Sequence, residues 1–149
     1  MRKLFGALLL ALVPGGVSAA SVCPGWGGDT IFHCKIENSS REVSVCDLRD
    51  GTFLYVYGRP GRPELELIRS TRQVEYTPWN GIGRAIWARI GFSNGRYFYD
   101  VGYSQDKRPG SRADGQIEIY KGRRNNPIAT KYCRRGTVTT RLDDLWDRF

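Results

Sequence analysis

Histidine is almost missing: the 149-residue chain has one, His33. A serine–histidine–carboxylate arrangement would therefore have to be built on that single side chain, and no Gly-x-Ser-x-Gly turn is present to expose a serine. No Cys-x-x-Cys pair occurs, so zinc-ligand spacing is absent. Phosphate-cradling loops of the Walker or dinucleotide type are missing too; Gly81-Ile82-Gly83 starts like one but has no helix pattern after it. Carboxylates are more plentiful, with 15 Asp and Glu, and leave two-carboxylate hydrolysis formally open. No pair of them is marked by spacing or by an apolar setting. These absences assign no catalytic, cofactor or metal residue.

Long apolar runs are also lacking, with one short exception at the start. Arg2 and Lys3 precede a run from Leu4 to Val13, broken by Pro14-Gly15-Gly16 and followed by Val17-Ser18-Ala19. About ten apolar residues are too few for a bilayer core that needs roughly 20. The pattern is that of a secretory signal peptide over residues 1–19, cleaved after Ala19 or Ala20, rather than an uncleaved anchor. Val22 precedes Cys23 where a lipoprotein signal wants a small residue, and acylating Cys23 would leave an odd number of thiols. No later segment is apolar enough to span. The expected mature chain is a soluble periplasmic or secreted domain, residues 20–149. Removing residues 1–19 leaves 130 residues and takes two of the 23 basic side chains, so 21 face 15 acidic ones. That surplus favours anionic partners, and the expected compartment makes nucleic acid an unsuitable one.

What is present is an even set of cysteines, Cys23, Cys34, Cys46 and Cys133, which in an exported chain reads as two disulfides. Three pairings are possible. Ile31–Glu37 and Arg41–Leu48 read as strands around a polar Asn38-Ser39-Ser40 turn. Folding about Ser40 would set Cys34 opposite Cys46, within reach of a disulfide. This favours Cys34–Cys46 and leaves Cys23–Cys133 to tie the N-terminal arm to the last strand.

Short alternating segments continue along the chain, an all-β pattern. Phe53–Tyr57 and Glu64–Arg69 flank Pro60-Gly61, suited to a type II turn. Residues 70–84 read as a connection holding Pro78-Trp79-Asn80-Gly81. The strongest signal is a hairpin over Ala85–Tyr103 around Asn94-Gly95, a type I′ turn. Its register would set Ile90 opposite Tyr99 and Arg89 opposite Asp100, with Phe98 over Gly91 and Trp87 over Gly102. Gln116–Lys121 and Ile128–Cys133 form another pair. Leu142, Leu145, Trp146 and Phe149 then recur at helical spacing, after Thr139 and Thr140 as caps. The expected fold is mainly β: an antiparallel sandwich or meander with a short C-terminal helix, stapled by disulfides.

Basic turns are the remaining feature. Arg59 and Arg62 flank one Pro-Gly pair; Lys107, Arg108 and Arg112 flank another; Arg134 and Arg135 follow Cys133. In a meander the 107–112 and 134–135 turns fall at one end, where arginine's planar donors suit phosphate or carboxylate. Trp79 could stack on a sugar or base, or anchor its loop in the core. His33 reads as an exposed strand residue.

Several local sequences together resemble a group of small secreted proteobacterial proteins without an assigned activity: Phe32-x-Cys34 to Val45-Cys46, Tyr57-Gly58-x-Pro60, Glu64-Leu65-x-Leu67, Pro78-Trp79-Asn80-Gly81 with Gly83-Arg84, and Asn94-Gly95. The resemblance implies an exported β domain and no particular chemistry. The chain is more loosely similar to small periplasmic lysozyme inhibitors, but their Ser-Gly-x-x-Tyr loop is not found, and a basic inhibitor would repel a basic lysozyme. The leading expectation is an exported non-enzymatic module that binds an anionic envelope component or protein through its arginine-rich turns. An inhibitor or immunity-type protein for a cell-wall hydrolase is the alternative, and a carboxylate hydrolase the third reading.

Overall fold

Alternation of apolar and polar residues gives each strand one face to bury, and two such sheets close on each other. The computed structural model describes residues 22–149; the expected signal peptide and its cleavage point lie outside the described residues. One sheet holds β1 (Asp29–Lys35), β2 (Glu42–Asp47), β3 (Thr52–Arg59) and β4 (Arg62–Ser70). The other holds β5 (Val74–Pro78), β6 (Ala85–Asn94), β7 (Tyr97–Asp106), β8 (Asp114–Lys121) and β9 (Ala129–Tyr132). β10 (Thr139–Thr140) then returns to the first sheet beside β1. Both sheets are antiparallel throughout.

Between them Phe32, Val43, Val45, Phe53 and Tyr55 meet Ala88, Ile90, Phe92, Val101 and Ile117, all buried. Each valine, isoleucine or phenylalanine among them contributes about 1.5–3 kcal/mol when fully removed from water. No helix among the described residues is long and apolar enough to cross a membrane.

The disulfides differ from the favoured pairing. Cys23 joins Cys46 and Cys34 joins Cys133, with Cα atoms 5.4 and 5.7 Å apart. The cause is register. Ile36 N–H donates to the Arg41 carbonyl, so the β1–β2 turn centres earlier than Ser40. Cys34 then lies opposite Val43, and Cys46 opposite Thr30. An odd shift reverses which face a strand residue presents, so Cys34 and Cys46 point to opposite sides of their sheet. Cys34 faces the core and binds Cys133, linking the two sheets. Cys46 faces outward with Leu54 and Val56 and is capped by Cys23, in a short 3-10 turn, Cys23–Trp26. Two disulfides and no free cysteine fit an oxidising, extracytoplasmic setting.

The β6–β7 hairpin keeps its expected inward face but turns one residue later. Asn94 pairs with Tyr97, leaving Gly95-Arg96 as the central residues. Gly95 has φ of +59°, and Arg96 is not among the positive-φ residues, as in a type II′ turn with glycine first. Ile90 therefore faces Val101 rather than Tyr99. Arg89 still reaches Asp100, now diagonally, at 2.7 Å. The Phe98 ring still covers Gly91, while Gly102 lies under the aliphatic stem of Arg89 instead of Trp87.

The segment over residues 70–84 is only partly a connection: it supplies β5, an edge strand that tolerates Pro78 at its end. The C-terminal helix is 3-10, Leu142–Arg148. At three residues per turn Leu142 and Leu145 stack on one face and are buried, whereas Trp146 rotates out and is 61% exposed. Thr140 Oγ1 accepts from Leu142 N–H at 3.2 Å. Phe149 packs on Phe53 and Tyr76, and Arg148 pairs with Asp47.

Candidate functional site

Much of the positive surface is neutralised locally. Arg41, Arg49, Arg84, Arg89, Arg108, Arg124, Arg141 and Arg148 all pair with carboxylates. The five cations expected to converge are therefore partly dispersed. Lys107 sits over the Trp79 ring, 4.1 Å from its centroid. Arg108 turns back on Asp106 at 3.0 Å. Arg134 reaches toward the β1–β2 turn, where Nη2 donates to the Ser39 carbonyl at 3.4 Å.

Arg112 and Arg135 do come together. They line one groove of about 310 Å³ with Asp106, Ser111, Asp114 and Gly136, at the β7–β8 end of the second sheet. Arg112 also borders a neighbouring, larger polar hollow with Gln105, Val138 and Thr140. Neither arginine has a carboxylate partner among the described residues. Backbone and side-chain donors of Arg108 hold the Asp106 carboxyl below its ordinary range, so it remains an acceptor already occupied by arginine. The Gln105 amide donates to the Ser111 carbonyl at 2.7 Å and fixes the loop.

Arg59 and Arg62 face each other across the β3–β4 turn, away from that pair. Arg59 borders a separate hollow of about 190 Å³ with Trp26 and Glu66. Trp79 is half-buried. Its indole N–H donates to the Ile82 carbonyl at 2.8 Å, and Lys107 covers one face, so the ring anchors its loop.

A second groove was not legible as a site in the sequence. On the outer face of the second sheet, Trp87, Arg89, Gly102, Ser104, Asp114, Gln116 and Tyr132 border about 340 Å³. That falls inside the range of roughly 300–1,000 Å³ usual for small-ligand sites. Cross-strand pairing assembles it: Arg89 with Gly102, Gly102 with Gln116, Gln116 with Tyr132, and beside them Trp87 with Ser104 and Ser104 with Asp114. Asp114 borders both grooves, so the aromatic one adjoins the arginine pair. The one available signal was Trp87 alternating outward beside a glycine-bearing neighbour.

Under this groove Arg89 binds Asp100 at 2.7 Å and Glu118 at 2.6 Å. Glu118 also accepts from Gln116 and Tyr120. Burial, then the bond to Glu118, pushes the Tyr120 phenol up to about 12. Burial raises the Asp100 carboxyl despite Arg89 beside it. Asp100 and Glu118 are direct cross-strand partners, but the guanidinium between them ties up both.

His33 is buried, not exposed, at 5%. Its Nδ1 lies 3.0 Å from the Ser44 hydroxyl and its Nε2 4.0 Å from Glu42. Ser44 is itself 2% exposed and sits on β2, whose backbone groups are committed to ladders with β1 and β3. Burial lowers the imidazole's affinity for a proton, opposed by Glu42 and assisted by Lys35. The unfolded chain then binds a proton more readily, so stability conferred here is complete above about pH 6.5 and declines as pH falls below it. As the only histidine, His33 gives a single imidazole C–H resonance. It is expected to titrate below 6.5, and a midpoint at or above that value would contradict the burial described.

No protein-family model, curated protein sequence or solved structure matches the chain.

Proposed function

We propose that the protein is an exported, non-enzymatic binding module that takes an anionic group of a cell-envelope component between Arg112 and Arg135. The observation that carries this reading is that these two arginines line one groove together and, unlike Arg108 beside them, have no carboxylate ion-pair partner among the described residues. Guanidinium groups in that arrangement match the planar, multidentate acceptors of phosphate or carboxylate. Two disulfides agree with an oxidising location.

Retention on immobilised lipopolysaccharide and on peptidoglycan, at low and high salt, tests the reading. Wild type is expected to bind at least one matrix in a salt-sensitive way. Replacing both Arg112 and Arg135 by alanine is expected to weaken it roughly 10- to 100-fold, as for loss of a charge-assisted hydrogen bond of about 1.5–3 kcal/mol. Arg59→Ala with Arg62→Ala should leave it unchanged. Salt-insensitive or absent retention on both matrices would overturn the proposal, and stable capture of a protein instead would move the function to a protein partner.

A further inference from the structure

The two grooves that meet at Asp114 differ in chemistry, and the difference specifies a ligand. The arginine end offers donors to an anion. The outer-face groove offers mainly acceptors and rings. Ser104 and Asp114 make no side-chain hydrogen bond within the described residues. Gln116 uses its amide nitrogen on Glu118, which leaves its oxygen open. Arg89 is already neutralised by two carboxylates. An anion placed in this groove would therefore gain little from Arg89, which both carboxylates already occupy, whereas hydroxyl donors would find unfilled acceptors. The walls are Trp87, half-buried, and Tyr132, 56% exposed. Between them the Arg89 stem lies over Gly102 and forms the floor. Flat apolar rings beside acceptors suit a pyranose, which pairs an apolar C–H face with a rim of hydroxyl groups.

We infer that these two adjoining grooves bind an acidic saccharide, with its sugar rings against Trp87 and Tyr132, its hydroxyl groups on Ser104, Asp114 and Gln116, and its anionic substituent at Arg112 and Arg135. The inference rests on the anionic-ligand reading and names the class of molecule that carries the anion. It assigns Trp87 and Tyr132 to ligand contact, a role their strand positions alone do not require, since both side chains face away from the core.

Calorimetric titration of the mature protein tests it with four probes. They are N-acetylglucosaminyl-N-acetylmuramic acid, its neutral counterpart without the lactyl ether (N,N′-diacetylchitobiose, hereafter chitobiose), a diphosphorylated glucosamine disaccharide, and inorganic phosphate. At least one acidic disaccharide is expected to bind about tenfold or more tightly than chitobiose and than phosphate. Which of the two binds more tightly identifies carboxylate or phosphate as the natural substituent. Trp87→Ala and Tyr132→Ala are each expected to weaken the acidic disaccharide about tenfold, as for truncated aromatic anchors. Their unfolding midpoints, measured alongside, should stay near wild type because both side chains lie on the outer face. Joint replacement of Arg112 and Arg135 should bring the acidic disaccharide down to the chitobiose level.

If the aromatic variants bind as wild type while the arginine variant is weakened, the saccharide inference falls and the anion reading stands. If the arginine variant binds the acidic disaccharide as wild type does while the aromatic variants are weakened, the anion reading falls, and with it the acidic substituent. No heat with either acidic disaccharide overturns the inference outright.

Discussion

Replacing Cys34 and Cys133 by alanine is expected to destabilise the protein more than replacing Cys23 and Cys46. The first bridge spans 99 residues and the second 23. In the chain-entropy model a loop of that greater length is worth about 4.7 kcal/mol and the shorter about 3.4 kcal/mol, a gap near 1.3 kcal/mol. Position adds to the difference. Cys34–Cys133 is in the main core and ties β1 to the segment after β9, where Gly115 leaves room for it. A Cβ at Gly115 would lie 2.7 Å from the Cys133 sulfur and 3.0 Å from the Phe32 ring. Cys23–Cys46 closes only the small cluster on the outer face of the first sheet. A total stability of roughly 5–15 kcal/mol is usual for a domain, so the first double variant should be partly unfolded at moderate temperature. Guanidinium unfolding should rank midpoints as wild type, then the 23/46 variant, then the 34/133 variant. The reverse order of the two variants would contradict the assigned pairing.

Arg89→Ala is expected to cost about 2–3 kcal/mol at neutral pH. Removing one partner of a buried pair costs roughly 3–5 kcal/mol. The lower figure applies because Arg89, Asp100 and Glu118 retain 25%, 18% and 23% side-chain exposure. What remains is two carboxylates directly opposite each other on neighbouring strands, an arrangement destabilising in itself. The penalty should depend on pH with a definite sign. Burial already raises the Asp100 carboxyl in the native protein, and removing the guanidinium raises it further. A carboxyl whose folded pKa lies above its unfolded one adds stability while protonated and loses it as pH rises through the folded value. The deficit of the variant should therefore shrink between pH 7 and pH 4.5. Urea unfolding of wild type, Arg89→Ala and Arg89→Met at both pH values checks this. Methionine retains much of the stem that covers Gly102, and its deficit should show the same pH dependence. An equal deficit at both pH values would assign the loss to packing instead.

Period-2 alternation made most strands legible, because each needs one apolar face whatever its partners. Leu65 and Leu67 against Glu64 and Glu66 is the plainest case. Register was not legible to the same degree. At Gly95 a two-residue displacement preserved the faces and changed only the partners. Around residues 36–41 an odd displacement reversed them, and the cysteine pairing changed with it. Turn position decides both, and several polar residues in a row do not specify it. Val74, Tyr76 and Pro78 alternated inward in a stretch read as a connection because proline and glycine cluster just beyond it. The 3-10 winding of residues 142–148 escaped because i, i+3 and i, i+4 spacings coincide over so short a segment.

The binding site was visible only in part for a related reason. Arg112 and Arg135 could be set at one end by counting strands, but the ion pairing that removes Arg108 from their company depends on Asp106 two residues away. Trp79 drew attention as an aromatic in a loop, and it anchors that loop. Trp87 and Tyr132 are 45 positions apart in the numbering and border one groove only because β6 to β9 lie side by side.

Backbone and arginine side-chain nuclear magnetic resonance during titration with the bound acidic disaccharide tests the proposed site most directly. Shift changes should concentrate at Trp87, Ser104, Arg112, Asp114, Gln116, Tyr132 and Arg135, with Arg59, Arg62 and Arg134 unaffected. Changes centred on the β1–β2 and β3–β4 turns, or spread evenly over the basic surface, would contradict it.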